Sequence, residues 1–533
     1  MNLFNYVAHF YRTGPDKPLL EDQNQIRKIF ERKRWQVFLA IIIGYSFYYV
    51  ARLSISVAKK PLIDSGILDA AQLGKIGTAI WLSYAFGKLI NGFIADHCNM
   101  RKFMTTGLLL SAIINIFFGF SDVFIVFVVL WFLNGWFQSM GCAPSVVVMS
   151  QWFSNRECGT RYGLWSAAHS IGEGITFVMT AVVISYFGWR WGFWSAGGAT
   201  LAIALLMAVF LADRPRTYGL PTVADYKNDH PSASPGAALS TWQAQKEVLL
   251  NPAVWILGLS SACMYVARYG VSSWGVMYLQ EDKAYSIIAA GSLLGWAKMI
   301  ETGGAVSSGF ISDFFFHSRR NIVALFYGLI EIAGLLILFA APSTLLFKLD
   351  RSYSSYLQDG AITNEVAQEL KENNIALPVN AYTTSGTYKD SNEQEQKYWI
   401  IHCQGWTLGL TDYNIIDTGV QLHVGTKFHY LHVLGVSLFG FGLGGLLVFL
   451  GGLMAVDICS KRAAGAAMGL VGVFSYLGAA IQEWISGDLI KAGKTIVDGQ
   501  TVHNFHSAFL FWLGAAILAV ALSSMLWKVK AKD

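Results

Sequence analysis

Apolar windows long enough to cross a membrane recur along the chain and predict twelve transmembrane helices. A helix needs about 20 mostly apolar residues to span the hydrocarbon core of a bilayer. We number the predicted helices spans 1 to 12, and their windows lie at 35–58, 73–95, 103–120, 123–149, 161–186, 191–211, 253–279, 285–311, 321–342, 430–457, 464–490 and 505–527. The predicted fold class is therefore an all-α membrane protein.

Two polar stretches interrupt the spans and indicate the domain organisation. Residues 212–252 are polar, with a Ser/Pro/Ala-rich part, and separate six spans from six. Residues 345–428 lie between spans 9 and 10, are too numerous for an ordinary connection, and fit either a small domain or a flexible flap. We predict an N-terminal segment 1–34, a six-helix bundle 35–211, a linker 212–252, a second six-helix bundle 253–527 with the insert 345–428, and a tail 528–533.

Basic residues predict the orientation of the spans. Arg27, Lys28, Arg32, Lys33 and Arg34 precede span 1, and cytoplasmic loops of membrane proteins carry an excess of Lys and Arg. Both termini and the linker are therefore expected in the cytoplasm, and the insert outside. We expect an integral multi-pass protein of a bacterial cytoplasmic (inner) membrane.

Composition excludes a soluble enzyme. The 533 residues are 54% hydrophobic and 14% charged, whereas soluble domains carry roughly 45–50% apolar and about 25% charged residues. The net charge of +5 is modest and predicts no nucleic-acid partner. The six cysteines show no CxxC spacing, and neither a nucleophile–base constellation nor a Gly-Lys-Ser phosphate loop occurs. We expect no metal, no cofactor and no enzymatic activity.

Short sequence matches between the two halves indicate a duplication. Three patterns recur at equivalent spans: YVAR at 49–52 and 265–268, GFIxD at 92–96 and 309–313, and SxRxxGxxxG at 154–163 and 460–469. The first two pairs are separated by 216 and 217 residues and the third by 306, and the insert accounts for the difference. Two pseudo-symmetric six-helix halves are therefore predicted.

Six-helix halves related in this way resemble the major facilitator superfamily. The Gly-x-x-x-Asp pattern that ends span 2, followed by Arg101-Lys102, is similar to that superfamily's motif between its second and third helices. A glycine there lets helices approach closely, and the aspartate and basic pair can latch the cytoplasmic gate. The predicted gating or structural residues are Asp96, Arg101, Asp313, Arg156 and Arg462.

Nine ionisable residues fall inside the predicted spans, where a charge is costly and marks a candidate functional site. They are Arg52, Lys88, His169, Glu173, Arg268, Lys298, Glu301, Glu331 and Glu483. Lys298 and Glu301 lie three residues apart on span 8, so a simple ion pair would explain both. Glu331 and Glu483 fit either structural roles or water-filled crevices, and a lone His169 fits a core histidine.

Arg52 and Arg268 end the repeated YVAR tetrapeptide and occupy equivalent positions in the two halves. The first helix of each half lines the central cavity of a two-fold bundle, so the two guanidinium groups are expected to face each other. Snorkelling to the outer interface is the alternative for Arg52, which lies seven residues before the basic end of span 1 at Lys59-Lys60-Pro61.

Two facing, unneutralised arginines repel each other unless an anion lies between them. Arginine binds phosphate bidentately, and a phosphate monoester carries about −1.5 to −2 charges at neutral pH. The predicted ligand is phosphate or a phosphorylated metabolite, with Lys88 and His169 as further donors. Closing both gates over an empty site would bury two like charges. We therefore expect obligate exchange, with the two halves rocking around the site.

These residues resemble the organophosphate:phosphate antiporter family, which includes hexose-phosphate and glycerol-3-phosphate transporters and a transporter-like sugar-phosphate sensor. The resemblance covers all spans but not the insert, and it rests on GYSFYYVAR at 44–52, SYAFGK at 83–88, AHSIG at 168–172, YVARYGVSSW at 265–274, RAAG at 462–465 and YLG at 476–478. It implies that Arg52 and Arg268 clamp the phosphate, that His169 and Lys88 assist, and that the organic portion contacts Tyr45, Tyr48 and Tyr265. Departures from the family pattern are Leu53, Ser273 and Lys298.

The main prediction is a membrane antiporter that exchanges a phosphorylated sugar or glycerol 3-phosphate for inorganic phosphate by alternating access. The predicted partners are these substrates and the lipid bilayer, and a monomer fits this prediction while the oligomeric state stays open. One alternative is a transporter-like sensor that binds sugar phosphate and signals to a membrane kinase. Another is a proton-coupled organic anion symporter with Glu173 or Glu301 as the proton carrier.

Overall fold

A computed structural model describes residues 9–95, 98–229, 241–283, 285–316, 320–341, 429–459, 464–497 and 500–528, together with the strands of the insert. The helices of the N-terminal half are Gln23–Asp64 (span 1), Ala70–Ala95 (span 2), Met100–Phe118 (span 3), Phe124–Gln138 and Cys142–Trp152 (span 4), Asn155–Phe187 (span 5) and Trp189–Phe210 (span 6). The helices of the C-terminal half are Pro252–Glu281 (span 7), Ile287–Phe315 (span 8), Arg320–Ala340 (span 9), Tyr430–Val448 (span 10), Ala464–Ala492 (span 11) and His506–Met525 (span 12). Shorter helices lie at Pro215–Tyr218, Val223–Lys227, Thr241–Leu250, Phe449–Leu453, Met454–Ile458 and Leu526–Lys528.

The predicted twelve-span architecture is confirmed. Within the described part of the chain, ten helices are long and apolar enough to cross a membrane. Spans 2 and 8 are equally long but carry the charged residues Lys88, and Lys298 with Glu301, inside the helix. Span 4 is predicted as one window but consists of two helices, because Pro144 cannot donate a backbone hydrogen bond to the preceding turn.

Local signals fix several helix ends. Asn251 caps span 7 by accepting from the Ala253 N–H, and Pro252 occupies the first turn, where no donor is needed. The Ser286 side chain caps span 8 through the Ala289 N–H. A capping box of Ser154 and Glu157 begins span 5.

Helix contacts repeat between the two halves. Span 1 packs on spans 5 and 6, span 2 on span 4, and span 3 on span 6. Span 7 packs on spans 11 and 12, span 8 on span 10, and span 9 on span 12, which is the same pattern six spans later. The predicted pseudo-two-fold relation between two six-helix bundles is therefore present in the packing.

Three helix pairs join the two halves: spans 1 and 7, spans 2 and 11, and spans 5 and 8. Close approaches in these pairs lie toward the insert side, where Gly74 meets Gly487 and Gly291 meets the backbone of Phe177. A Cβ at Gly291 would lie 2.5 Å from the Phe177 carbonyl oxygen, so only glycine allows this contact. The two halves are therefore in contact on the insert side of the membrane.

The insert contains a small antiparallel sheet. Its strands are β1 (Leu346–Lys348), β2 (Leu357–Gln358), β3 (Ala361–Ile362), β4 (Tyr382–Lys389), β5 (Glu395–Cys403), β6 (Trp406–Thr407) and β7 (Gln421–His423). They pair in the order β2-β3-β4-β5-β1-β7, and β6 pairs with β5. A further hairpin, β8 (Lys494–Val497) and β9 (Gln500–His503), connects spans 11 and 12. The strands lie outside the helical bundles, whose fold remains all-α.

Candidate functional site

Arg52 is buried in span 1 and contacts no carboxylate of the described residues. Its side chain is 1% exposed, and its Nε and Nη2 atoms donate to Gln138 Oε1 at 3.2 and 3.1 Å. Its guanidinium carbon lies 4.6 Å from the ring centres of both Tyr49 and Tyr84, and 5.6 Å from that of Trp81. The Nη1 atom has no hydrogen-bond partner in the described structure. This burial excludes snorkelling and leaves one N–H edge available to an anion.

Arg268, the equivalent residue in span 7, is buried but neutralised. Its Nη2 atom lies 3.0 Å from Glu173 Oε1 and 3.4 Å from Glu301 Oε1. The Nζ atom of Lys298 lies 2.7 Å from the second oxygen of each of these carboxylates. The four side chains form a closed ring of alternating charge, here called the charge ring, and each is at most 4% exposed.

The charge ring corrects two expectations from the sequence. The expectation that both arginines are free of carboxylates is wrong for Arg268, because span 5 presents Glu173 to span 7 at 3.0 Å. A simple Lys298–Glu301 pair is also an incomplete description, since Lys298 additionally binds Glu173 from the other half. Sequence spacing reveals partners on one helix, whereas this network joins three helices.

Lys88 and Arg52 flank the same pair of aromatic rings. The Nζ atom of Lys88 lies 5.1 Å from the centre of the Tyr476 ring, which lies 4.6 Å from the centre of the Tyr84 ring. Among the described residues Lys88 has no ion-pair partner. The Trp81 ring beside Arg52 also lies 4.2 Å from the Tyr269 ring, which Arg268 approaches at 5.5 Å. Aromatic side chains therefore connect all three cations.

The other predicted substrate contacts fall in different places. The Tyr265 ring lies 5.6 Å from Tyr476 and joins the aromatic group between the cations. The Tyr45 ring packs on Trp165 at 4.6 Å and lies 5.6 Å from Tyr49. His169 Nε2 lies 3.8 Å from Glu301 Oε1, so this histidine adjoins the charge ring.

The position of Tyr48 differs from the prediction that it contacts the organic portion of the substrate. Its side chain has no exposed surface, and its hydroxyl donates to the Met104 carbonyl oxygen at 2.7 Å. The ring occupies a slot left open by Gly107 and Gly141, where any added Cβ would meet it. Tyr48 therefore packs inside the N-terminal half and does not face the cavity.

Lys59 is a residue that the sequence analysis missed. It is 1% exposed and donates to Ser273 Oγ at 2.6 Å and to Glu483 Oε2 at 3.0 Å. The indole N–H of Trp274 donates to the same Glu483 oxygen at 3.0 Å. The sequence placed Lys59 at the end of span 1, but the helix continues through Pro61 to Asp64. The predicted end of span 1 at Lys59-Lys60-Pro61 was therefore wrong, and Glu483 is ion-paired with Lys59.

Glu331 differs from Glu483. It has no exposed surface, and neither of its carboxyl oxygens has a hydrogen-bond partner in the described part of the structure. The Glu331 side chain is therefore enclosed by protein in this conformation. No group of His, Cys, Asp and Glu in the described residues is arranged to hold a metal ion.

The predicted gating residues are placed only in part. Asp96 and Arg462 lie outside the described residues, and Arg156 and Asp313 lie in spans 5 and 8 with side chains that are not described. Arg101 donates from Nε to the Ala208 carbonyl oxygen at 2.6 Å, which ties span 3 to span 6. Next to Arg156 in the sequence, Glu157 pairs with Arg34 of span 1 at 2.8 Å.

A family comparison covers more than half of the chain. Residues 41–353 match the family described as the Major Facilitator Superfamily. The chain also resembles a solved bacterial homologue of the human lysosomal transporter Spinster, with a TM-score of 0.63, 15% identity, and coverage of 93% of this chain and 98% of that one. This similarity concerns the fold. The chain belongs to the Major Facilitator Superfamily.

Proteins of similar sequence indicate which group within the superfamily the chain belongs to. The membrane sensor protein UhpC of Salmonella typhimurium is 31% identical over 62% of this chain and 75% of its own length. A probable hexose phosphate transport protein of Chlamydia pneumoniae is 32% identical over 58% of this chain and 71% of its own. The glycerol-3-phosphate transporter of Bacillus subtilis is 28% identical over 99% of this chain and 98% of its own. Within the superfamily the chain is a member of the organophosphate:phosphate antiporter-like group.

Proposed function

We propose that this protein exchanges a phosphorylated sugar or glycerol 3-phosphate for inorganic phosphate by alternating access. The observation that carries the proposal is the buried guanidinium of Arg52, which contacts no carboxylate of the described residues and lies across an aromatic pair from Lys88. Transporters of hexose phosphate and glycerol 3-phosphate among its relatives support this substrate class.

The electrostatics of the cavity suit a dianion. Arg52 and Lys88 contribute two positive charges, whereas the charge ring around Arg268 sums to zero. A phosphate monoester with about −1.5 to −2 charges neutralises that pair. Arg52 supplies the planar fork that binds phosphate oxygens bidentately. Arg268 completes the clamp when it turns from Glu173 to the ligand, and His169 and Tyr265 adjoin the bound molecule.

Exchange follows from the same charges. Closing an empty cavity over Arg52 and Lys88 would bury two cations without an anion, and that desolvation is costly.

Residues 35–211 and 253–527 are the two moving bundles, and 212–252 is their linker. The contacts between the halves on the insert side indicate a conformation that is closed on that side. The linker and both termini are cytoplasmic, in a bacterial inner membrane, by the distribution of Lys and Arg.

Reconstitution into phosphate-loaded vesicles tests the proposal. External sugar phosphates or glycerol 3-phosphate should release internal phosphate, and phosphate-free buffer without a counter-substrate should not. Arg52→Lys should reduce uptake by two orders of magnitude or more, because an ammonium cannot replace a bidentate fork. Arg190→Lys is the matched control, because Arg190 pairs with the exposed Asp122 inside the N-terminal half. Rapid release into substrate-free buffer would refute exchange, and normal uptake by Arg52→Lys would refute the clamp.

A sensor is the second candidate, favoured by the similarity to a membrane sensor protein. Such a protein binds sugar phosphate and signals to a membrane kinase. Binding measured by scintillation proximity, with turnover far below that of the relatives, would identify a sensor. Rapid turnover would identify a carrier.

A further inference from the structure

Lys298 is not among the proposed phosphate ligands, yet it is the second cation of the charge ring. Its Nζ atom lies 2.7 Å from Glu173 Oε2 and 2.7 Å from Glu301 Oε2, and Arg268 takes the other oxygen of each carboxylate. Each carboxylate therefore divides its oxygens between a cation of span 7 and a cation of span 8. Without Lys298, the two buried carboxylates would share Arg268, and His169 would be the other basic group nearby, 3.8 Å from Glu301 Oε1.

The ring presents an obstacle to phosphate binding that Lys298 removes. A phosphate that approaches Arg268 meets two carboxylates beside the guanidinium, and both repel it. With Lys298 present the ring is neutral, and the carboxylates keep a cation when Arg268 turns away. Removing one partner of a buried ion pair is costly, because it leaves the other charge uncompensated.

The geometry allows Arg268 to turn while the rest of the ring stays. Lys298 and Glu301 are three residues apart on one helix, so their contact does not depend on Arg268. Glu173 reaches Lys298 across the tight contact between spans 5 and 8, where Gly174 lies against Met299. The Nε atom of Arg268 has no hydrogen-bond partner in the described structure. This second edge of the guanidinium is therefore available to a ligand.

We propose that Lys298 is a positioning residue of the phosphate site, which holds Glu173 and Glu301 so that Arg268 can bind the substrate phosphate. The inference rests on the proposed function. It assigns a role to a residue that departs from the family pattern, and it makes Glu173 a competitor of the substrate for Arg268.

The test is a charge rescue measured as the KM for inorganic phosphate in homologous phosphate exchange. Lys298→Met should raise KM by about ten-fold or more, since a net negative ring holds Arg268 and repels phosphate. Adding Glu173→Gln to Lys298→Met removes one negative charge at constant shape and should restore most of the lost affinity. Glu173→Gln alone should lower KM, because the substrate has one competitor fewer.

Controls separate this role from a structural one. Lys88→Met should also raise KM. Adding Glu173→Gln to Lys88→Met should lower KM only by the factor that Glu173→Gln produces in the unmutated protein. A folded Lys298→Met protein with unchanged KM, or one that Glu173→Gln fails to rescue, overturns the proposal. If Lys298→Met does not fold, an unchanged KM for Glu173→Gln overturns it. Failure of the unmutated protein to exchange any phosphate refutes the proposed function instead.

Discussion

Two tyrosines of span 1 show how neighbouring side chains of one type acquire different roles. The Tyr49 ring lies 4.6 Å from the guanidinium carbon of Arg52. Tyr48 is the adjacent residue, but its hydroxyl is used by the Met104 carbonyl inside the N-terminal half. Tyr48 therefore packs inside the N-terminal half, and Tyr49 packs against Arg52.

Tyr48→Phe should lower stability and leave transport unchanged. The substitution removes one buried hydrogen bond, the one that the Met104 carbonyl oxygen accepts from the hydroxyl, at a cost of about 1 kcal/mol. Thermal unfolding in detergent measures the loss, and phosphate exchange measures KM. Tyr49→Phe is the matched control. A changed KM with unchanged melting temperature would place Tyr48 in the substrate path.

Gln138 binds Arg52 through a neutral amide oxygen, so this contact does not cancel the positive charge of Arg52. Gln138→Glu would give Arg52 the carboxylate that Arg268 already has, and it would halve the positive charge of the cavity. We expect KM for phosphate to rise about ten-fold or more. Gln482→Glu adds a buried carboxylate beside Ser486 in span 11 and serves as the control. An unchanged KM in a folded Gln138→Glu protein would contradict the assignment of Arg52 as the free cation.

At the scale of whole helices, one buried ion pair, here called the lock, joins spans 1, 7 and 11 on the insert side. Lys59 of span 1 binds Glu483 of span 11, and Trp274 of span 7 donates to the same carboxylate. Removing one partner of a buried pair costs about 3–5 kcal/mol, because the remaining charge is uncompensated. The lock therefore favours the conformation that is closed on the insert side.

Glu483→Gln should shift the protein toward the conformation open on the insert side. Spin labels at Ser65 and Asp282, at the insert-side ends of spans 1 and 7, report this separation in a background without native cysteines. A longer-distance population should appear in Glu483→Gln and shrink again when Lys59→Met is added. Identical distance distributions in all three proteins would show that the pair does not control the conformation.

At the scale of the whole molecule, strand pairing brings the two ends of the insert together. Its first and last strands pair, with Lys348 opposite Gln421. Replacing residues 349–420 by Asn-Gly should therefore form a two-residue hairpin and leave both bundles intact. We expect unchanged phosphate exchange in vesicles and an unchanged elution profile. A folded but inactive variant would show that the insert takes part in transport.

Much of the bundle architecture was predictable from the sequence, and the reasons are local. Helix length, the run of apolar residues and the repeated YVAR and GFIxD patterns are properties of neighbouring positions, and they predicted twelve spans in two related halves. The break in span 4 was missed, because a proline near a helix start interrupts backbone bonding without lowering hydrophobicity. The sheet of the insert was undecided, since its strands pair across long stretches of chain.

The sequence by itself determined the kind of molecule and the candidate charges, because insertion into a bilayer constrains composition and length and makes each intramembrane charge conspicuous. Only the tertiary structure decided which charges are free. Arg52 and Arg268 occupy identical tetrapeptides, yet one binds an amide oxygen and the other two carboxylates. Those partners come from other helices, and electrostatic energy depends on distances in space that no spacing along the chain reveals.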